Sequence, residues 1–141
     1  MEVLTVKAKK MTAFLVVIPL VLLLLGSFQI AGAAPLKVMQ DGDNAYLADS
    51  NGRTLYYFTK DAAGQSTCVG PCVDRWPLFY TEKLMVPGGL DAKEFGVITH
   101  PNGQKQNTFR GWPMYYWAND KMPGDTKGQG FNGVWYYFLT K

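Results

Sequence analysis

The sequence predicts an all-β domain, small and antiparallel with little helix, carried behind an N-terminal leader. Three observations predict it: short β-branched or aromatic runs bounded by turn residues, two Asn-Gly turns between such runs, and an internal repeat. Helical periodicity is scarce after residue 34, whereas Gly and Pro recur throughout. Asn44 to Asp49, the turn Ser50-Asn51-Gly52-Arg53, and Thr54 to Phe58 read as strand, turn, strand. Asn-Gly favours the positive φ angles of a tight hairpin. Phe95 to Thr99, His100-Pro101-Asn102-Gly103 and Lys105 to Phe109 repeat the pattern, and Gly133 to Leu139 reads as a strand with aromatics on both faces. Asp91 to Phe95 predicts a single helical turn, and Gln65 to Leu84 an irregular excursion.

The leader sets the compartment. Lys7, Lys9 and Lys10 form a basic start, Phe14 to Leu25 an apolar core, and Ala31-Gly32-Ala33 puts small residues where a signal peptidase reads. That order is a secretory signal peptide over residues 1–33, cleaved after Ala33. The competing reading is an uncleaved anchor, since Met11 to Ala34 is charge-free and about 20 apolar residues span a bilayer. Gln29 and the glycines of that stretch count against it. Both readings put the domain outside the cytoplasm, periplasmic or secreted. No Cys follows the apolar core, so no lipid anchor is expected, and an uncleaved leader is the one expected membrane attachment.

Residues 1–33 hold three Lys and one Glu, which leaves 11 basic and 10 acidic residues for the exported part. A domain so near neutrality lacks the clustered basic face that nucleic acid requires. Eighteen of the 20 aromatic residues lie in that part. Each buries roughly 150–250 Å², enough for a single core in a domain this short. The expected organisation is an N-terminal segment at 34–44, then a β-rich repeat domain at 45–140.

Gly52 to Asp61 aligns without gaps on Gly111 to Asp120. Two copies are too few for a solenoid, and they predict a duplicated β unit closing on itself with pseudo-symmetry. Each copy fits Tyr-x-aromatic-x-x-Asp: Tyr56, Phe58 and Asp61, then Tyr115, Trp117 and Asp120. Around them stand Ser66 to Cys72, Trp76-Pro77, Gly111-Trp112-Pro113, Pro123 to Gly130 and Gly133-Val134-Trp135. With these motifs in this order, residues 45–140 resemble the bacterial and archaeal secreted repeat of unknown function, predicted lipoproteins with that tyrosine–aspartate motif. The resemblance implies a small secreted β-rich domain and no agreed activity. This chain departs from the lipoprotein label because its leader lacks the lipidated Cys.

Cys68 and Cys72 are the two cysteines, and in an oxidising compartment so close a pair is expected to join as a staple. The spacing is not Cys-x-x-Cys, and Val73 stands where a haem-ligating His would follow. The alternative is a redox or metal-handling protein, with Cys68, Cys72, His100 and a thioether offering soft ligands to Cu(I). His100, the one histidine, otherwise reads as a solvated turn residue. Asp61 and Asp120 read as turn carboxylates accepting backbone N–H groups, or alternatively as a converging pair for cation binding or acid–base work. Trp112, Tyr116, Trp135 and Tyr137 are the expected binding surface for a sugar, quinone or other flat ligand. No nucleophile elbow, phosphate loop or zinc helix is present, so no catalytic residue and no cofactor is assigned. The expectation is an exported non-catalytic module that binds a small ligand, a polymer or an envelope protein.

Overall fold

Residues 33–141 are described by a computed structural model; the signal peptide predicted over 1–33 lies almost wholly outside the described residues. Ala33–Pro35 (β1) leads into a hairpin of Lys37–Asp41 (β2) and Asn44–Ala48 (β3), then Tyr56–Phe58 (β4). A five-residue helix, Pro71–Arg75 (α1), and Lys83–Met85 (β5) follow. The second unit has Phe95–Thr99 (β6), Lys105–Phe109 (β7), Trp112–Pro113 (β8) and Trp135–Tyr137 (β9). Every ladder is antiparallel except β1 on β5. The expected all-β class, with almost no helix and two repeated units, is the architecture observed.

Turn chemistry explains the local elements. Asp49 Oδ1 accepts the N–H groups of Asn51 and Arg53, both at 2.9 Å, while Gly52 supplies φ 81°. In the second copy Arg110 and Gly111 have φ 51° and 84°, the two positive angles of a two-residue hairpin loop. That loop joins β7 to β8 through the pair Phe109–Trp112. The helical turn expected near Asp91 is a 3₁₀ turn, Ala92–Glu94, capped by Asp91. The excursion read as irregular contains α1, started by Pro71 at its first turn, and β5. Strands β1, β2 and β8 also lie where the sequence predicts none, β2 inside the expected N-terminal segment 34–44. The mostly exposed residues of β2 give it the composition of a connecting segment.

The units exchange strands rather than folding separately. β4 of the first pairs with β9 of the second, Tyr56 facing Tyr137 and Phe58 facing Trp135. Reciprocally, Tyr115 bridges Leu78, and Tyr116 N–H donates to Pro77 C=O at 2.7 Å. The bonds Thr59 to Val134 and Ala118 to Arg75, both 2.9 Å, are equivalents at the repeat offset of the sequence. Two cores result. One is aromatic, built on Tyr46, Tyr56, Trp76, Tyr115, Trp117, Trp135 and Tyr137. The other joins Leu36, Leu47, Leu55, Phe79, Phe109, Met114 and Phe138, in which Leu55 corresponds to Met114 and Phe79 to Phe138.

Candidate functional site

The two copies meet at Tyr56 and Tyr115, whose backbones exchange both hydrogen bonds. Tyr56 N–H donates to Tyr115 C=O at 2.8 Å, and Tyr115 N–H to Tyr56 C=O at 2.9 Å. This reciprocal pair marks a pseudo-twofold axis. Each phenol then crosses it. Tyr56 O–H donates to Asp120 Oδ2 at 2.7 Å, and Tyr115 O–H to Asp61 Oδ2 at 2.6 Å.

The other carboxylate oxygen of each pair holds the following loop. Asp61 Oδ1 accepts Thr67 N–H at 2.7 Å and the Thr67 hydroxyl at 2.9 Å; Asp120 Oδ1 accepts Lys127 N–H at 3.0 Å. Each phenol oxygen also accepts a bond. Gly128 N–H reaches Tyr56 at 3.2 Å, and the Ser66 hydroxyl reaches Tyr115 at 2.6 Å. The motif residues Tyr and Asp thus work in trans, one from each copy. In each copy the chain turns before the carboxylate, Asp61 N–H donating to Phe58 C=O at 3.0 Å and Asp120 N–H to Trp117 C=O at 3.1 Å, and each carboxylate is bonded by the tyrosine of the other copy.

Burial governs the electrostatics. Removal from water, then the bond to Asp120 and its charge, hold the Tyr56 phenol far above its usual range. Burial and Asp61 do the same to Tyr115. Asp120 is itself raised by burial, against the lowering effect of its Tyr56 and Lys127 bonds. A low-dielectric site strengthens paired bonds and penalises unpaired charge. The phenols stay protonated and donating at any ordinary pH.

Trp76 and Trp135, equivalent in the two copies, stack on the axis with centroids 3.7 Å apart and planes within 4°. Phe58 covers Trp135 at 4.3 Å, and Trp117 covers Trp76 at 4.1 Å. The equivalence of Trp76 and Trp135 was readable by extending the repeat past Asp61 at the same offset. Gly128 is closely fitted here, since a Cβ on it would lie 2.9 Å from Trp76 Cη2 and Tyr56 Cε1.

Cys68 and Cys72 form a disulfide with Cα atoms 5.3 Å apart. His100 is not a solvated turn residue but a buried one, 1 % exposed. Its Nδ1 accepts Asn102 N–H at 3.1 Å, so Nε2 carries the proton and donates to Cys68 C=O at 2.8 Å. It fastens the disulfide loop to the β6–β7 turn. Both sulfurs and both ring nitrogens are therefore engaged, and a copper site from Cys68, Cys72 and His100 would require breaking all of these links. Among the described residues no group of three or more His, Cys, Asp or Glu is placed to hold a metal ion.

The expected binding surface divides. Trp135 and Tyr137 are buried, 4 % exposed each, because both belong to the strand at the centre of the exchange. Tyr116 is half-buried; its hydroxyl donates to Asp49 Oδ2 at 2.9 Å, and the Arg53 guanidinium covers its ring at 4.1 Å. Trp112 is half-buried beside Tyr57, centroids 5.8 Å apart. It lines a cleft of about 300 Å³ with Phe109, Arg110, Phe138 and Leu139. Arg110 bonds Glu94 Oε1 at 2.8 Å, so its charge in the cleft is matched.

A family model described as a secreted repeat of unknown function matches residues 37–79 and again residues 96–138. These spans are the two strand-exchanging units, with β2 and β6 at or beside their starts. No curated protein and no solved structure matches the chain. With two copies covering more than half of its length, the chain belongs to this family of secreted repeats.

Proposed function

We propose that this is an exported, non-catalytic binding module whose ligand-facing element is the Tyr57–Trp112 cleft. The observation that carries the reading is a break in the pseudo-symmetry. Tyr57 and Tyr116 are equivalent in the two copies, as are Trp112 and Arg53. On one side Arg53 and Asp49 clamp Tyr116; on the other, Trp112 and Leu139 leave an apolar cleft. Its volume suits one flat ring, at the small end of ligand sites. A sugar or quinone ring of a small ligand, an envelope polymer or an envelope protein fits that description. The leader at 1–33 is proposed to deliver the domain and to leave after Ala33, without a lipid anchor.

The test is an NMR titration of the labelled mature domain with soluble cell-wall oligosaccharides and with a short-chain quinone. Shifts clustered on Tyr57, Trp112 and Leu139, lost in Trp112→Ala, are expected from one of the two probes. Shifts confined to the Arg53–Tyr116 side, or binding indifferent to Trp112→Ala, would overturn the assignment.

A further inference from the structure

The aromatic core on the pseudo-twofold axis is a continuous run of rings in contact. Phe58, Trp135, Trp76 and Trp117 make one continuous stack. Tyr56 meets it edge-on at Trp76, centroids 5.5 Å apart, and Tyr115 at Trp135, 5.1 Å apart. Indole and phenol are the side chains that give up a single electron most readily. A phenol does so easily only if its proton has a destination, because the oxidised phenol is a very strong acid. Both phenols here have one in place, a carboxylate oxygen at 2.6 and 2.7 Å. Ser66 and Gly128 continue to donate to the phenol oxygens after the proton has left. Tyr56 and Tyr115 are 0 % exposed, so solvent does not compete for that proton.

We propose that the tryptophan stack and the two tyrosine–aspartate pairs form a one-electron relay, in which a hole accepted by an indole comes to rest on Tyr56 or Tyr115. Trp76 and Trp135 both line a cleft of about 570 Å³ with Cys72, Arg75, Phe131 and Asn132, which is where an oxidant meets the stack. The oxidant is an oxidising radical or a high-potential metal complex, and it takes one electron from the stacked indoles. Tyr115 returns an electron to the indole radical cation as its O–H bond breaks and the proton forms an O–H bond on Asp61 Oδ2. The indole is restored and a neutral phenoxyl radical remains. An external one-electron donor reduces it, and the proton returns from Asp61. Tyr56 and Asp120 act in the same way. The relay uses neither the Tyr57 cleft nor the disulfide sulfurs.

The test is flash photo-oxidation of the mature domain by a ruthenium tris-bipyridine complex with a sacrificial acceptor, followed by transient absorption. In the wild type the tryptophan radical is expected to convert to a tyrosyl radical, more slowly in D₂O. Asp61→Asn with Asp120→Asn keeps both phenols but removes the acceptors. Positioned bases contribute about 10²–10⁴-fold to proton transfer, so the tryptophan radical should outlive that of the wild type about a hundredfold. Tyr56→Phe with Tyr115→Phe should abolish the conversion and leave only direct oxidation of solvent-accessible tyrosines such as Tyr80, Tyr57 and Tyr136. Near-ultraviolet circular dichroism checks that each variant is folded. A wild-type tryptophan radical that never converts, or converts equally fast in D₂O, overturns the relay without any variant. So does a tyrosyl yield unchanged in the double Phe variant.

Discussion

Raising the pH from 10 to about 11 should destabilise this domain markedly, and the cause is the set of buried phenols. Tyr56, Tyr115 and Tyr116 are held well above the ordinary value of 10.0, chiefly by burial and then by their aspartate partners. In the unfolded chain they ionise near 10; in the fold they do not. A group whose folded pKa is raised contributes stability that is fully present below the unfolded value and is lost as pH climbs towards the folded one. Over that interval each phenol costs about 1 kcal/mol of stability, from 1.36 kcal/mol per pKa unit. Three together cost about 3 kcal/mol, a large part of the 5–15 kcal/mol of a typical domain. Urea unfolding followed by far-ultraviolet circular dichroism should show the midpoint falling by about 1–3 M, given slopes of about 1–3 kcal/mol/M. Tyr115→Phe should lose about one third of that pH dependence while being less stable at neutral pH. A midpoint that barely moves, or a dependence unchanged in Tyr115→Phe, would refute the reasoning.

Asp120 should show the acid counterpart. Its raised pKa means that its favourable contribution is present below the ordinary value of 3.8 and fades as pH rises through the folded value. The stability of Asp120→Asn relative to the wild type should therefore improve between about pH 4 and neutrality, measured by urea unfolding at each pH. Gly128→Ala should destabilise by roughly 1–3 kcal/mol, because its Cβ would press on Trp76 and Tyr56; thermal unfolding measures it. Cys68→Ser with Cys72→Ser opens a five-residue loop, which costs about 2 kcal/mol on the chain-entropy account. Hydrogen exchange in that variant should rise first at residues 68–72 and at the β6–β7 turn, which His100 ties to them.

Much of the fold is legible in the sequence where local chemistry decides it. The turns at Gly52 and Gly103 take positive φ, and the strands beside them follow from alternation and turn residues. The duplication is legible too, because Tyr-x-aromatic-x-x-Asp recurs at a fixed offset. The strand exchange is not, since nothing local tells whether Tyr56 bonds Asp61 or Asp120; the long-range pairing of the two copies at Tyr56 and Tyr115 decides it. β2 is not legible, because its residues are mostly exposed and so carry no apolar alternation. The burial of His100 is not legible either, because a histidine in a Pro-Asn-Gly turn gives no sign of the Cys68 carbonyl that folding brings to it. The burial of Trp135 and Tyr137 leaves no mark in the sequence, because a two-sided aromatic strand has the same composition whether buried or displayed.

The central claim is that the copies are locked by tyrosine–aspartate bonds made in trans, and double-mutant cycles test it most directly. Unfolding free energies of Tyr115→Phe, Asp61→Asn and the double variant give the coupling of the crossing pair. Tyr56→Phe with Asp61→Asn gives that of the pair within one copy. Bonds to charged groups contribute roughly 1.5–3 kcal/mol, so the crossing pair should couple by about that amount and the same-copy pair by less than about 0.5 kcal/mol. Coupling of that size between Tyr56 and Asp61, with none between Tyr115 and Asp61, would contradict the account.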